Sequence, residues 1–398
     1  MPIQLNMLFV IILGGGWLFS RFFSMIKLPS VLGMVIFGII CSVTIKPYAH
    51  PVIWEIAPFL KSFALIVILL RAGLGIKKKT LAKVGKPALM MAFIPCLIEG
   101  TALTLIVRYA AGFNWYVAGV TGFMISAVSP AVIVPSMLDL KNKGHNEVPT
   151  IIIAGASADD VLAITLFSVF LGLAGQNDIN MFNAVLSVPL SIIAGIVSGI
   201  IVGGALSSFF RKKYQNIRAT EKAMILLLIA SLLVQVGDTL HFAALLGIMT
   251  VGFILLEKNE PVAKELSLKL SKIWVIAEII LFVLIGFSLD INVAFNAGLL
   301  GIAIIFSGLF FRSTGVWLST ISSGLNYKER LFCMIAYLPK ATVQAAIGSV
   351  PLSMGIAEGH TILAFAVIAI IITAPIGLFG IKYFSPRLLN YKISADQP

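Results

Sequence analysis

The sequence is poor in charge, and poorest in acid. Charged residues are 12% of its 398 positions, with 17 Asp and Glu against 29 Lys and Arg. Soluble globular domains are about a quarter charged and about half apolar. Here 59% of residues are hydrophobic and the mean hydropathy is +1.03. That excludes a soluble protein and leaves an integral membrane protein with little room for a soluble domain. Cysteine is scarce as well. Cys41, Cys96 and Cys333 lie in or at the ends of apolar runs, and their odd number argues against a disulfide framework. The four histidines, His50, His145, His241 and His360, are far apart and lack metal-ligand spacing. No Walker-type phosphate loop is present, which excludes direct drive by ATP, and no cofactor is implied. The N-terminal stretch lacks a basic start and a small-residue cleavage site, so it reads as a retained first helix. The formal net charge of +12 does not require nucleic acid, because basic loops also orient a membrane protein.

What is present is a series of long apolar runs. At about 20 residues per crossing, they give an all-α protein with thirteen expected spans: 3–20, 29–45, 57–75, 87–107, 115–138, 149–174, 181–209, 223–237, 241–256, 270–288, 294–322, 331–354 and 360–381. Lys and Arg concentrate in alternate loops, at Lys77, Lys143, Lys213, Lys258, Lys328 and the C-terminal Lys392 among others. The opposite loops hold only Lys46, Lys61 and Arg108. By the positive-inside rule the N-terminus is outside and the C-terminus cytoplasmic. An odd count suits two inverted six-helix repeats joined by span 7. Gly195, Gly199 and Gly203 on that span allow another backbone to approach closely.

Spans 5 and 12 hold matching places in the two halves, and both are interrupted. Span 5 contains Ser129-Pro130 and Pro135. Span 12 contains Pro339-Lys340-Ala341-Thr342 and Pro351. Two prolines and small polar residues in each predict local unwinding. Broken helices at matching places in an inverted repeat mark the midplane site of a secondary transporter.

Charge inside the spans points to the same depth. An ionised carboxylate at the bilayer centre costs roughly 2.5–3.5 kcal/mol on insertion scales, yet span 6 carries two in succession, Asp159 and Asp160. With about 1.5 Å of rise per residue, these two, Lys340, Glu99 in span 4 and Arg312 in span 11 all fall near the centre. Glu99 and Arg312 are expected to form a structural ion pair. That leaves Asp159 and Asp160 facing Lys340, one positive charge short of neutrality. Such a site suits one monovalent cation or one proton, competing for the same oxygens. Cation and proton binding is expected mainly at Asp160, with Asp159 in contact with Lys340. Ser129, Thr342 and the carbonyls freed at the breaks are candidate hard-oxygen ligands. Arg71 in span 3 and Glu278 in span 10 form a possible second ion pair.

Ala158-Asp159-Asp160, Ala127-Val128-Ser129-Pro130-Ala131-Val132, Leu338-Pro339-Lys340-Ala341-Thr342-Val343-Gln344-Ala345-Ala346 and Leu28-Pro29-Ser30-Val31-Leu32-Gly33-Met34 together resemble the monovalent cation–proton antiporters, most closely the NHA-type sodium/proton antiporter branch. The resemblance implies an inverted-repeat antiporter fold, a homodimer and elevator-type alternating access. It divides the chain into a scaffold (1–86 and 223–293), a mobile core (87–178 and 294–398) and a linker helix (179–222). The family's aspartate pair falls on Asp159 and Asp160, its crossing helices on spans 5 and 12, and a Glu–Arg pair on Glu99 and Arg312. In electrogenic relatives a lysine at the position of Arg312 pairs with the first aspartate.

Two other classes use similar residues. A cation channel or cation-coupled symporter could hold the same site, but broken helices at mid-depth suit alternating access better than a continuous pore. An intramembrane aspartyl protease needs two carboxylates on facing helices, close enough to share a proton. Here they are neighbours on one helix, so an enzyme is not expected. The compact chain points to a prokaryotic inner membrane, with lipids and a second copy of itself as partners.

Overall fold

A computed structural model describes residues 3–75, 78–142, 147–174, 181–212, 217–240 and 242–389. Lys77, Lys143, Lys213 and Lys392 of the basic loops, together with His145 and His241, lie outside these residues. So does the expected boundary between the first part of the core and the linker.

The described chain is almost entirely helical. In order, the helices are α1 (Leu5–Met25), α2 (Ser30–Thr44), α3 (Val52–Gly75), α4 (Lys78–Ala110), α5 (Trp115–Ser126), α6 (Pro130–Asn142), α7 (Glu147–Ala174) and α8 (Met181–Lys212). They continue with α9 (Ala219–Leu240), α10 (Ala244–Lys258), α11 (Glu260–Ser288), α12 (Ile291–Ser319), α13 (Tyr327–Ala336), α14 (Thr342–Ile347), α15 (Val350–Ser353) and α16 (Gly359–Leu388). Among the described residues eight helices are long and apolar enough to cross a bilayer. Of the remaining expected spans, 149–174 lies in the 28-residue α7, 29–45 and 241–256 correspond to the shorter helices α2 and α10, and the other two are broken helices.

Span 5 is α5 and α6, separated by Ala127, Val128 and Ser129. Ala127 is extended, at φ −64° and ψ 142°, and ends α5. Pro130 lacks an N–H and opens α6, where none is needed. Span 12 is α13, α14 and α15, with Tyr337 to Ala341 unwound around Pro339. Polar caps start several helices at the membrane surfaces. Asn114 accepts from Val117 N–H at 2.8 Å, and Asn326 forms a capping box with Glu329.

The ends of α4 and α11 depart from the sequence reading. Both begin about two and a half to three turns earlier, at Lys78 and Glu260. Hydropathy sees only the part that needs lipid, whereas helical backbone continues through the polar residues that flank it.

Packing follows two sets of neighbours. Helix α4 packs on α5, α7 and α12, and α16 packs on α12 and α13. Helix α11 packs on α2 and α3, and α10 packs on α3 and α8. Small residues make the last contact possible: a Cβ added at Gly199 of α8 would lie 2.5 Å from the Gly247 carbonyl oxygen of α10.

Candidate functional site

Five charged side chains converge where the two breaks meet. Glu99 comes from α4, Asp159 and Asp160 from α7, Arg312 from α12 and Lys340 from the unwound segment after α13. All are buried. Asp160, 9% exposed, is the one that retains access; the other four are at 0%.

Arg312 is the hub. Its Nη1 lies 2.8 Å from Glu99 Oε2 and its Nη2 lies 2.8 Å from Asp159 Oδ2. Nε donates to the Tyr337 carbonyl at 2.9 Å, and Nη1 also donates to the Ser126 carbonyl. A planar guanidinium with five N–H donors can serve two carboxylates at once. Lys340 Nζ sits 2.7 Å from the other oxygen of Glu99, and its backbone N–H donates to Thr373 Oγ1 at 2.8 Å. Glu99 therefore bridges both cations.

This arrangement corrects one expectation. The sequence reading sets Lys340 against Asp159, whereas Lys340 pairs with Glu99 and the partner of Asp159 is Arg312. Glu99 has two oxygens to share and the guanidinium fork spans from it to Asp159, so the ammonium is displaced to the far side of Glu99. Asp159 is fixed further by the Val128 N–H, which donates to Oδ2 at 3.0 Å and ties α7 to the break in α5. Asp160 makes no ion pair among the described residues, and its Oδ1 has no hydrogen-bond partner there.

The two breaks are bonded to each other. Ser129 N–H donates to the Pro339 carbonyl at 2.8 Å, and Thr342 N–H reaches Ser129 Oγ at 3.4 Å. The Ser129 and Thr342 hydroxyls lie 3.3 Å apart. The carbonyls at the end of α5, expected as candidate ligands, already accept hydrogen bonds. Those of Met124, Ile125 and Ala127 accept from Gln344 Nε2, and that of Ser126 accepts from Arg312. Gln344 had no role in the sequence reading. Its signal was an uncharged polar side chain in an apolar helix, and nothing in the sequence says which backbone it meets.

Arg71 and Glu278 face each other electrostatically without a contact within 4 Å, and Trp274 serves both: its ring sits under the Arg71 guanidinium, 5.7 Å from the centroid, and its side chain donates a hydrogen bond to Glu278. Among the described residues, no group of three His, Cys, Asp or Glu side chains is placed to hold a resident metal.

Residues 8–384 match the family profile described as "Sodium/hydrogen exchanger, transmembrane". The chain belongs to the sodium/hydrogen exchanger family. Sodium/hydrogen exchanger 9B2 of Mus musculus is 33% identical over 408 residues, covering 96% of this chain and 73% of that protein. The Homo sapiens protein of the same name is 32% identical over 383 residues, covering 91% and 70%. In fold, the chain is similar to the solved structure of the sodium proton antiporter MjNhaP1 from Methanocaldococcus jannaschii at pH 8. The TM-score is 0.76 at 21% identity, with 96% of this chain and 98% of that one covered. Membership in this exchanger family identifies a transmembrane cation/proton antiporter of the monovalent cation–proton antiporter superfamily. Antiport takes the place of the channel, symporter and protease alternatives.

Proposed function

We propose that the chain exchanges Na⁺ or Li⁺, with K⁺ a further candidate, for protons at a single site whose exchanging group is Asp160. One observation carries this reading: of the three acids at the crossing, Asp160 alone has no cationic partner among the described residues. A proton or a cation neutralises it, and the two cannot both do so. Asp159 supports the site through Arg312. Ser129 and Thr342, whose hydroxyls lie 3.3 Å apart where the two breaks meet, are candidate hydroxyl ligands. The cation is cargo, held by hard oxygens that release it readily.

Access alternates by an elevator movement of a core made of α4 to α7 and α12 to α16 against a scaffold of α1 to α3 and α9 to α11. Three observations support this: the two packing sets, the hydrogen bonds that tie one broken helix to the other, and the glycine contact of the linker α8 with α10. The working unit is a homodimer in the membrane, with the N-terminus outside and the C-terminus cytoplasmic, as the alternation of basic loops indicates.

The test is transport in proteoliposomes with an imposed pH gradient. Added Na⁺ or Li⁺ dissipates the gradient in the native protein. Asp160→Asn abolishes the response, whereas Asp159→Asn leaves part of it. Full exchange by Asp160→Asn would move the site elsewhere.

A further inference from the structure

The C-terminal end of α5 presents the carbonyl oxygens of Met124, Ile125, Ser126 and Ala127, in the region where an α-helix leaves its last carbonyls without intrahelical partners. They also form the negative end of the helix dipole. In this protein side chains from the second half of the chain meet all four, the two amide hydrogens of Gln344 being shared among three of the carbonyls. Gln344 Nε2 lies 3.1 Å from the Met124 oxygen, 3.2 Å from that of Ile125 and 2.8 Å from that of Ala127, while Arg312 Nη1 takes Ser126. The matching helix α13 closes most of its last turn on itself, and among the described residues only its C-cap carbonyl, that of Tyr337, takes a side-chain donor, Arg312 Nε at 2.9 Å. Tyr337 N–H donates to Cys333 at 3.1 Å and Leu338 N–H donates to Ile335 at 3.3 Å. Gln344 is fully buried, and its amide nitrogen is spent on the α5 carbonyls.

A cluster of backbone carbonyls is itself a ligand set for a dehydrated alkali cation. This one adjoins Val128, whose N–H is bonded to Asp159, and Ser129. Left open, it would add several hard oxygens to those of Asp160 and hold the cargo too tightly for release, since transport needs binding weak enough to leave. We propose that Gln344 is a positioning residue that withholds the α5 carbonyls from the transported cation and so sets affinity and turnover. A neutral amide is suited to this task. It occupies the carbonyls, yet it leaves unchanged the net charge of −1 on Glu99, Asp159, Asp160, Arg312 and Lys340. The assignment rests on the reading of Asp160 as the exchanging group.

The experiment measures KM and Vmax for Na⁺ in proteoliposomes, and Na⁺-dependent thermal stabilisation in detergent, for Gln344→Leu and Gln344→Lys. Leu removes the donors and frees the carbonyls. The apparent KM should fall by about tenfold, equivalent to about 1.4 kcal/mol, with Vmax falling as release slows, and Na⁺ should stabilise the variant at lower concentration. Lys keeps a donor but adds a charge, so KM should rise. If the Leu protein does not fold, Gln344→Met, nearer in shape, takes its place. An unchanged KM in the Leu or Met protein overturns the proposal, because a merely structural residue would lower only stability and Vmax. A raised KM in that protein also overturns it, because Gln344 would then ligate the cation directly. An Asp160→Asn arm separates the two readings. Retained Na⁺ stabilisation there refutes the Asp160 site whatever Gln344 does, whereas its loss beside an unshifted Gln344→Leu refutes this proposal alone.

Discussion

Arg312 holds Glu99 and Asp159 at 2.8 Å each and also bonds the carbonyls of Tyr337 and Ser126, so one side chain closes the gap between both halves. Removing one partner of a buried ion pair strands the other, at a cost of roughly 3–5 kcal/mol. Arg312→Ala should therefore lower the melting temperature in detergent far more than Ser129→Ala, which removes only a hydroxyl; equal melting of the two would show that the pairs contribute little. Arg312→Lys should recover only part of the loss, because a point charge cannot span two carboxylates as a fork does. The residues of this network were legible in the sequence, since charge inside an apolar run is costly and rare. Their pairing was not. Depth along the helices puts Lys340 and Arg312 at the same level, and only side-chain reach and helix rotation decide which of them meets Asp159.

At the scale of elements, the breaks in spans 5 and 12 were legible because Pro130 and Pro339 each remove a helix-forming N–H and restrict the residue before them. The bonds that join the breaks were not, because Ser129 N–H to Pro339 O is a contact between residues far apart in the chain. The reading of span 7 as a packing helix rests on sounder ground. Its glycine spacing implies a close neighbour, and that neighbour is α10, where the Gly247 carbonyl faces Gly199. Gly199→Leu forces the two backbones apart, and overpacking of this kind costs about 1–3 kcal/mol or more. The expected outcome is a lower melting temperature and less folded protein, with the KM for Na⁺ of the surviving fraction unchanged. A changed KM would mean that the linker's packing reaches the ion site.

At the scale of the whole molecule, the charge at the crossing determines what exchange does to the membrane potential. Glu99, Asp159 and Asp160 face Arg312 and Lys340, so three negative charges meet two positive ones. Glu99 lies against both cations, and Asp159 is held by Arg312. Arg312 stays protonated at any pH the cell meets. If Lys340 also keeps its proton, held by Glu99, then one group is left to change state, and the loaded core is neutral whether Asp160 carries a proton or a monovalent cation. A neutral core crossing in both directions moves no net charge. Exchange should thus run at one proton per cation, and its rate in proteoliposomes should not respond to an imposed diffusion potential of either sign. A rate that rises with one sign and falls with the other would require a second titrating group, and Lys340 would be the one to replace first. Lys340→Gln should then abolish the voltage response while exchange continues, whereas in a one-proton exchanger the same substitution has no voltage response to remove and acts through the stability of the Glu99 pair.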